Sequence, residues 1–534
     1  MSLMCNSIYT STKYNDRHVG YDIALEKAKP SDNDNYNNVR IPSYAWKVLA
    51  VLASLATMAM YAETMLIPAI PDLIRDFNVS YSMSSWILTA YLISGAVMTP
   101  IAGKLADIYG KKKVLLGVLA AYIIGLTMAG FSPNIYFMIA ARAIQGIGMA
   151  MFVIAFSIVR DQFPREKMSI GQGVISSMFA SGAVLGLLLG GIVIQNYGWQ
   201  TTFLSAIPIA ITLFIINSKF NYNKRAQEVK LGENPHSMAR DVPKVVAHPK
   251  NGNVDVKGAI TLATFITSFL LALTLSETTG NSSASPSLLV YYLVILGVAM
   301  FALFVMIERR EKYPLVDFKL ILHKAILPSN VIILVVGFSM FMVFQTIPVL
   351  VRNPQPFGFG LDAAEAGYVQ LPFAIVLLIF GPTSGLIVAK MGSIRPIIIG
   401  IAVTTAGFLA LLAFHGDLMA ISLDLAVLST GLSLTNVGAM NVTMLATPIQ
   451  HTGMSLGTNN LMRIIGSSIG PALAGMYMQA NQSPAVIAGQ AASFPNANAY
   501  NSIFLTAVIL SVASIGLALF LRGKAKKMSI PNLS

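Results

Sequence analysis

Glu63 and Arg142 stand inside runs of about 20 apolar residues in a chain of 534. Runs of that length are the mark of membrane-spanning helices. An ionised side chain at the centre of such a helix costs about 3 kcal/mol or more, so it is usually paired or functional. Counted from the ends of their runs, both residues lie roughly 10 Å below the same surface at the helical rise per residue. A carboxylate and a guanidinium at one depth can approach. Burial disfavours the ionised carboxylate and the guanidinium favours it. A change in their separation would then load and unload a proton. The alternative is a static ion pair. Asp424 lies at similar depth in a later run. It is a second proton or cation site, or an outer-end residue that reaches water.

The elements that must position these residues follow from composition. Hydrophobic residues make up 55% of the chain and charged residues 11%. A soluble globule carries about 25% charged residues, so a soluble fold is excluded. Spans are expected over 46–67, 83–106, 113–132, 135–158, 170–194, 199–219, 256–276, 287–307, 326–349, 365–390, 395–415, 418–442, 455–479 and 501–522. The fold class is therefore all-α, a membrane protein of fourteen transmembrane helices. Lysines and arginines fall on alternate loops: Lys111, Lys112 and Lys113 on one side, and only Arg75 and Arg352 on the other. The positive-inside rule then puts both termini in the cytoplasm. It also accounts for the net charge of +13 without nucleic acid. Cys5 is the only cysteine, so no intrachain disulfide and no cysteine metal site is expected. No phosphate-loop motif, metalloprotease pair or nucleophile elbow is present. Neither an ATP-driven pump in one chain nor an intramembrane enzyme is expected, and neither is a cofactor or metal.

Two stretches recur. "GKLADIYGKKK", from Gly103 to Lys113, has a later echo in "GLIVAKMGSIR", from Gly385 to Arg395. "GAVLGLLLGG", from Gly182 to Gly191, has a later echo in "GSSIGPALAG", from Gly466 to Gly475. The step from Gly103 to Gly385 nearly equals the step from Gly182 to Gly466. A shared offset points to duplicated halves, helices 1–6 matching helices 9–14. Close packing of small residues would explain either echo alone. Parallel six-helix repeats around a cavity are a transporter design.

The turn "GKLADIYGKKK" resembles the loop between helices 2 and 3 of the major facilitator superfamily. The match covers Gly103, Leu105, Ala106, Asp107, Gly110, Lys111, Lys112 and Lys113, and departs at Ile108, where the family usually has arginine. "RAIQGIG", from Arg142 to Gly148, is similar to the family's helix 4 pattern. "GLLLGG", from Gly186 to Gly191, is similar to its helix 5 antiporter pattern, with Leu187 in place of proline. Pro471, after Gly470, restores a proline in the repeat mate, as Pro382 does in helix 10. Fourteen helices with a central pair inserted look like the drug:proton antiporter branch.

The resemblance implies two pseudo-symmetric six-helix bundles plus two inserted helices. The expected organisation is a disordered cytoplasmic tail over 1–44, bundles over 45–219 and 311–523, a linker over 220–255, inserted helices over 256–310 and a tail over 524–534. Proton coupling is expected at Glu63, Arg142 and Asp424. The turn serves as a cytoplasmic latch, with Asp107 facing the start of helix 13 near Gly457, or as a topology anchor only. Gly103 and Gly110 suit a tight turn. Gly182, Gly186, Gly190, Gly191, Gly470 and Pro471 form packing motifs. Tyr61, Tyr91, Trp86, Phe341, Phe344, Gln145, Gln345, Asn436, Asn441 and Asn459 are candidate cavity residues. Asp362 and Glu365 read as solvated helix-start residues, and Arg463 as either a snorkelling cation or a cavity residue. The function implied is export of drugs or other amphipathic compounds in exchange for protons, by a monomer in the plasma membrane. Its partners are a small-molecule substrate, protons and the lipid bilayer. An uptake permease for an organic acid or sugar, and a non-transporting sensor on the same scaffold, remain open.

Overall fold

The computed structural model describes residues 41–163, 168–220, 256–275, 288–311, 318–447, 452–487 and 490–528. The expected N-terminal tail and most of the linker over 220–255 lie outside them. The described chain is helical almost throughout. In hydrocarbon no water can satisfy a free backbone amide, and the helix pairs each one internally.

The first bundle opens with α1 (Ser43–Thr64), a 3₁₀ turn (Ile67–Ala69) and α2 (Ile70–Phe77). Pro68 and Pro71 fall at the breaks, where a missing N–H ends the regular ladder. Next come α3 (Tyr81–Tyr109) and α4 (Lys111–Gly130). A second interrupted span follows: α5 (Ile135–Gly146), a 3₁₀ turn (Ile147–Met149) and α6 (Ala150–Gln162). The bundle closes with α7 (Met168–Tyr197) and α8 (Trp199–Lys219). Two helices stand between the bundles, α9 (Val256–Leu275) and α10 (Leu288–Arg310). The second bundle holds the short α11 (Phe318–Ile321), α12 (Ile326–Arg352), α13 (Ala363–Met391), α14 (Ile394–Phe414), α15 (Leu418–Leu445) and α16 (Thr452–Ala480). A hairpin of β1 (Gln482–Ile487) and β2 (Gln490–Pro495) then leads to α17 (Ala497–Met528).

Among the described residues, 11 helices are long and apolar enough to cross a membrane. Shorter apolar stretches occur in α7 and α9. α16 fails on polarity, since Asn459, Asn460, Arg463, Ser467 and Ser468 lie along it.

Side chains cap the helices where the sequence allows. Ser80 accepts from the Met83 amide at 3.0 Å, and Asn134 from that of Phe137 at 2.9 Å. Asp362 and Glu365 form a reciprocal capping box on α13, which satisfies two amides that the helix leaves open. These starts lie on the face opposite the lysine turn; the lysine side is called the basic face below, and the other the distal face. Gly103 is not in the turn. α3 runs on to Tyr109, and only Gly110, at φ +93°, breaks it, because that backbone region is open to glycine alone at little cost.

Each bundle crosses its helices through glycine. A Cβ at Gly182 would collide with the Thr57 carbonyl, and one at Gly186 with Thr64 and the Tyr61 carbonyl. In the second bundle the same approach recurs, with Gly466 against the Leu334 carbonyl and Gly470 against that of Phe338. One step along the chain relates Gly182 to Gly466 and Gly186 to Gly470. A second, slightly shorter step relates their partners, Thr57 to Leu334 and Tyr61 to Phe338. Between bundles, α3 packs on α16 and α7 on α13, while α9 touches both α3 and α16.

The hairpin pairs Gln482 with Pro495 and Ile487 with Gln490. Phe494 stacks on Phe357 of the α12–α13 connection at 5.6 Å. The alternation of this stretch is too short and too rich in alanine to signal strands.

Candidate functional site at the bundle interface

Arg142 and Gln145 are one turn apart on α5, so both face the same way. Arg142 is fully buried. Its Nε donates to the Ile87 carbonyl on α3 at 3.1 Å. Its Nη1 donates to the Gln145 side chain at 2.7 Å and to the Ala62 carbonyl on α1 at 3.4 Å. The guanidinium lies over the Tyr91 ring, 4.4 Å from its centroid, a cation–π geometry. Gly146 and Gly148 permit this crowding, because a Cβ at either would strike Tyr91 or Tyr122.

Glu63 follows Ala62 and is 1% exposed. Among the described residues, neither of its carboxylate oxygens has a hydrogen-bond partner, and neither does Arg142 Nη2, Gln145 Nε2 or the Tyr91 hydroxyl. Arg142 therefore grips the backbone beside Glu63 without bonding its carboxylate. A buried carboxylate without donors is costly when ionised, so it responds strongly to nearby charge.

Arg463 lies on α16. Its Nε and Nη2 donate to Asn460 at 3.3 and 3.1 Å.

Asp424 is half-buried on α15, and its Oδ2 has no hydrogen-bond partner among the described residues. Gln345 reaches across to Ser84 at 3.4 Å. Phe341, Phe344 and Phe373 form a chain of edge-on rings at 5.5 and 5.4 Å. Tyr61 and Asn436 are half-buried, and Trp86 is buried. Asn441 bonds Ser393, and Asn459 bonds Asn330 and Thr443, so these two asparagines tie helices of the second bundle together.

In the basic turn, Lys111 donates to the Ser157 carbonyl at 2.8 Å and pairs with Asp161 at 2.5 Å, bracing α4 on α6. The side chain of Asp107 lies outside the described ones. At Gly457, where its latch contact was expected, an added Cβ would meet nothing within 4 Å.

The distal ends are cross-tied. Arg352, at the end of α12, binds Asp72 of α2 through both nitrogens at 2.5 and 2.7 Å, and donates to the Pro68 carbonyl at 2.9 Å. Nearby, the Tyr81 amide donates to Gln479, Thr89 to the Ser468 carbonyl and the Ala363 amide to Gln195. Composition alone gave Arg352 as an outside cation; its partner in the other half of the chain could not be read from sequence.

A family model described as Major Facilitator Superfamily matches residues 52–471 and, a second time, 329–532. The chain belongs to the major facilitator superfamily. The step between the two starting positions of the superfamily matches is the one that relates Thr57 to Leu334. Relatives include Multidrug resistance protein 3 of Bacillus subtilis, 27% identical over 436 residues, covering 80% of this chain and 78% of the relative. The Tetracenomycin C resistance and export protein of Streptomyces glaucescens is 23% identical, covering 81% and 76%. Among solved structures, the xylose transporter XylE from E. coli, in a partially occluded inward open conformation, aligns with TM-score 0.57 at 11% identity over 88% of this chain and 97% of that one. The human organic anion transporter MFSD10 gives 0.56 at 15% identity over 89% and 100%. Both structures share the superfamily fold with this multi-pass membrane protein.

Proposed function

We propose that this superfamily member is a proton-coupled antiporter of fourteen spans that exports drugs or other amphipathic compounds. The observation that carries the proposal is Glu63: a buried carboxylate with no hydrogen-bond donor among the described residues, next in sequence to Ala62, whose carbonyl a fully buried arginine bonds. Such a group binds and releases a proton as its surroundings change. The names of the relatives, multidrug resistance and export proteins, support the cargo class. In this proposal the basic face is cytoplasmic, because Lys111–Lys113 follow the positive-inside rule, and the membrane is the plasma membrane. The bundles over 45–219 and 311–523 rock about the cleft, and the cleft opens alternately to each side. The turn from Gly103 to Lys113 anchors the topology and latches the cytoplasmic side when that side closes. Asp424 is proposed as a second proton site.

The test uses everted membrane vesicles with an imposed pH gradient and ethidium as a fluorescent amphipathic cation. The unaltered protein is expected to accumulate ethidium, and an uncoupler to abolish the accumulation. Glu63→Gln is expected to retain gradient-free exchange and lose the gradient-driven component. Normal gradient-driven accumulation by Glu63→Gln removes this residue from the coupling. Accumulation in right-side-out rather than everted vesicles identifies an uptake permease instead.

A further inference from the structure

The two bundles fill their cores differently. Gly110 and Gly392 are the positive-φ glycines that close α3 and α13. The step between them also carries Tyr122 to Thr404 and Gly125 to Gly407. A step one residue longer relates Gly148 to Gly431. The contacts agree: a Cβ at Gly148 would strike Tyr122, and one at Gly431 would strike Thr404. Tyr122 is fully buried on α4. Its phenol crosses the first bundle, and its hydroxyl donates to the Met58 carbonyl of α1 at 3.3 Å. Thr404 holds the matching place on α14 without a ring. Its hydroxyl turns back to the Gly400 carbonyl at 2.9 Å.

The second core therefore keeps a gap. α15 and α17 each pack on both α12 and α14, so the four helices form a ring. Inside it lies a cavity lined by Val335 and Ser339 of α12, Thr404 of α14, Thr435 of α15, and Ser511 and Ser514 of α17. Val335 is the residue that the step from Thr57 to Leu334 assigns to Met58. The cavity thus lies where the Tyr122 phenol ends in the first bundle. The space open to the centre of a water-sized sphere is about 10 Å³, roughly what one water molecule requires. Ser339 and Ser511 are 1% and 2% exposed, and their hydroxyls have no hydrogen-bond partner among the described residues. Thr404, Thr435 and Ser514 donate to carbonyls of their own helices at 2.9, 2.8 and 2.9 Å. Their oxygens remain able to accept.

We propose that this cavity binds one water molecule. The water accepts from Ser339 and Ser511 and donates to two of the three remaining hydroxyls. It joins the helices of the second bundle where Tyr122 joins those of the first. A buried hydroxyl without a partner is costly, and a water with three or four polar partners relieves that cost. The lining offers hydroxyls and no charged side chain, which suits a neutral ligand rather than a cation. This inference stands apart from the transport reading.

The first experiment is a single-particle density map of the purified full-length protein, sharp enough to show buried waters. A peak is expected about 2.5–3.0 Å from the Oγ atoms of both Ser339 and Ser511. A map that shows other buried waters and leaves this cavity empty overturns the proposal. Thermal unfolding in detergent gives a second reading. Ser339→Ala, Ser511→Ala and the double variant form a cycle in which the helix preference of alanine cancels. A shared water is lost only once, so the double variant is expected to melt higher than the sum of the two single shifts. Two hydroxyls with no water between them give shifts that add, and additive shifts overturn the proposal. A melting temperature raised by sodium chloride but not by potassium chloride, with the effect lost in Ser511→Ala, identifies a cation in the cavity and overturns it as well.

Discussion

Glu63 and Arg142 were legible because a charge in a greasy run is conspicuous, and equal depth follows from counting residues. The lack of a bond between them was not legible. It depends on Arg142 finding the carbonyls of Ala62 and Ile87, which no local pattern encodes. Arg463 was harder to judge, since its guanidinium bonds Asn460 one turn back on the same helix. At the same scale, His323 lies outside the spans, before α12. Its Nδ1 accepts from the Ala325 amide at 3.4 Å. Burial, and secondarily Lys324, hold its imidazole below the ordinary histidine range. The unfolded chain therefore binds this proton more readily than the folded one, and folding stability falls with pH below the unfolded value of about 6.5. Thermal unfolding between about pH 7 and about pH 5 is expected to show less pH dependence in His323→Ala than in the unaltered protein. An equal slope contradicts this.

The glycine crossings belong to the scale of elements. Their spacing showed in the sequence, while the helix each one faces became visible only in the fold. Gly186→Ala would drive a methyl group into Thr64 and the Tyr61 carbonyl, and such overpacking costs about 1–3 kcal/mol. Gly470→Ala meets the Phe338 carbonyl in the same way. Gly457→Ala meets nothing and is expected to stabilise by about 0.4–1 kcal/mol through lost unfolded-state freedom. Melting temperatures in detergent should fall for the first two variants and hold or rise for the third. Boundaries were read less well than crossings. α3 extends through Tyr109 and α17 through Met528, because leucine, alanine and lysine continue a helix past the edge of an apolar run. The hairpin over Gln482–Pro495 was missed, since its pairing rather than its composition makes it a sheet.

At the scale of the molecule, the distal tie between Asp72 and Arg352 joins α2 to α12 across the two halves of the chain. Removing one partner of a nearly buried ion pair typically costs about 3–5 kcal/mol. Arg352→Ala should therefore shift the population toward a cleft open on the distal face. Ser84 is 1% exposed. With Cys5 replaced, Ser84→Cys is expected to resist a membrane-impermeant thiol reagent in the otherwise unaltered protein. It should become reactive once Arg352→Ala is added. Equal labelling in both backgrounds would show that the tie does not govern opening. The duplication was readable from two short echoes because it preserved close backbone approaches, and those tolerate glycine and little else.

α9 leans on α3 and α16 along one face, with Ala259, Leu262, Ile266 and Leu270 all buried. That flank of the interface carries a third helix, while on the other flank α7 and α13 pack directly on each other. The interface is thus flanked unevenly, by three helices on one side and two on the other, so that the two edges it turns outward are not equivalent.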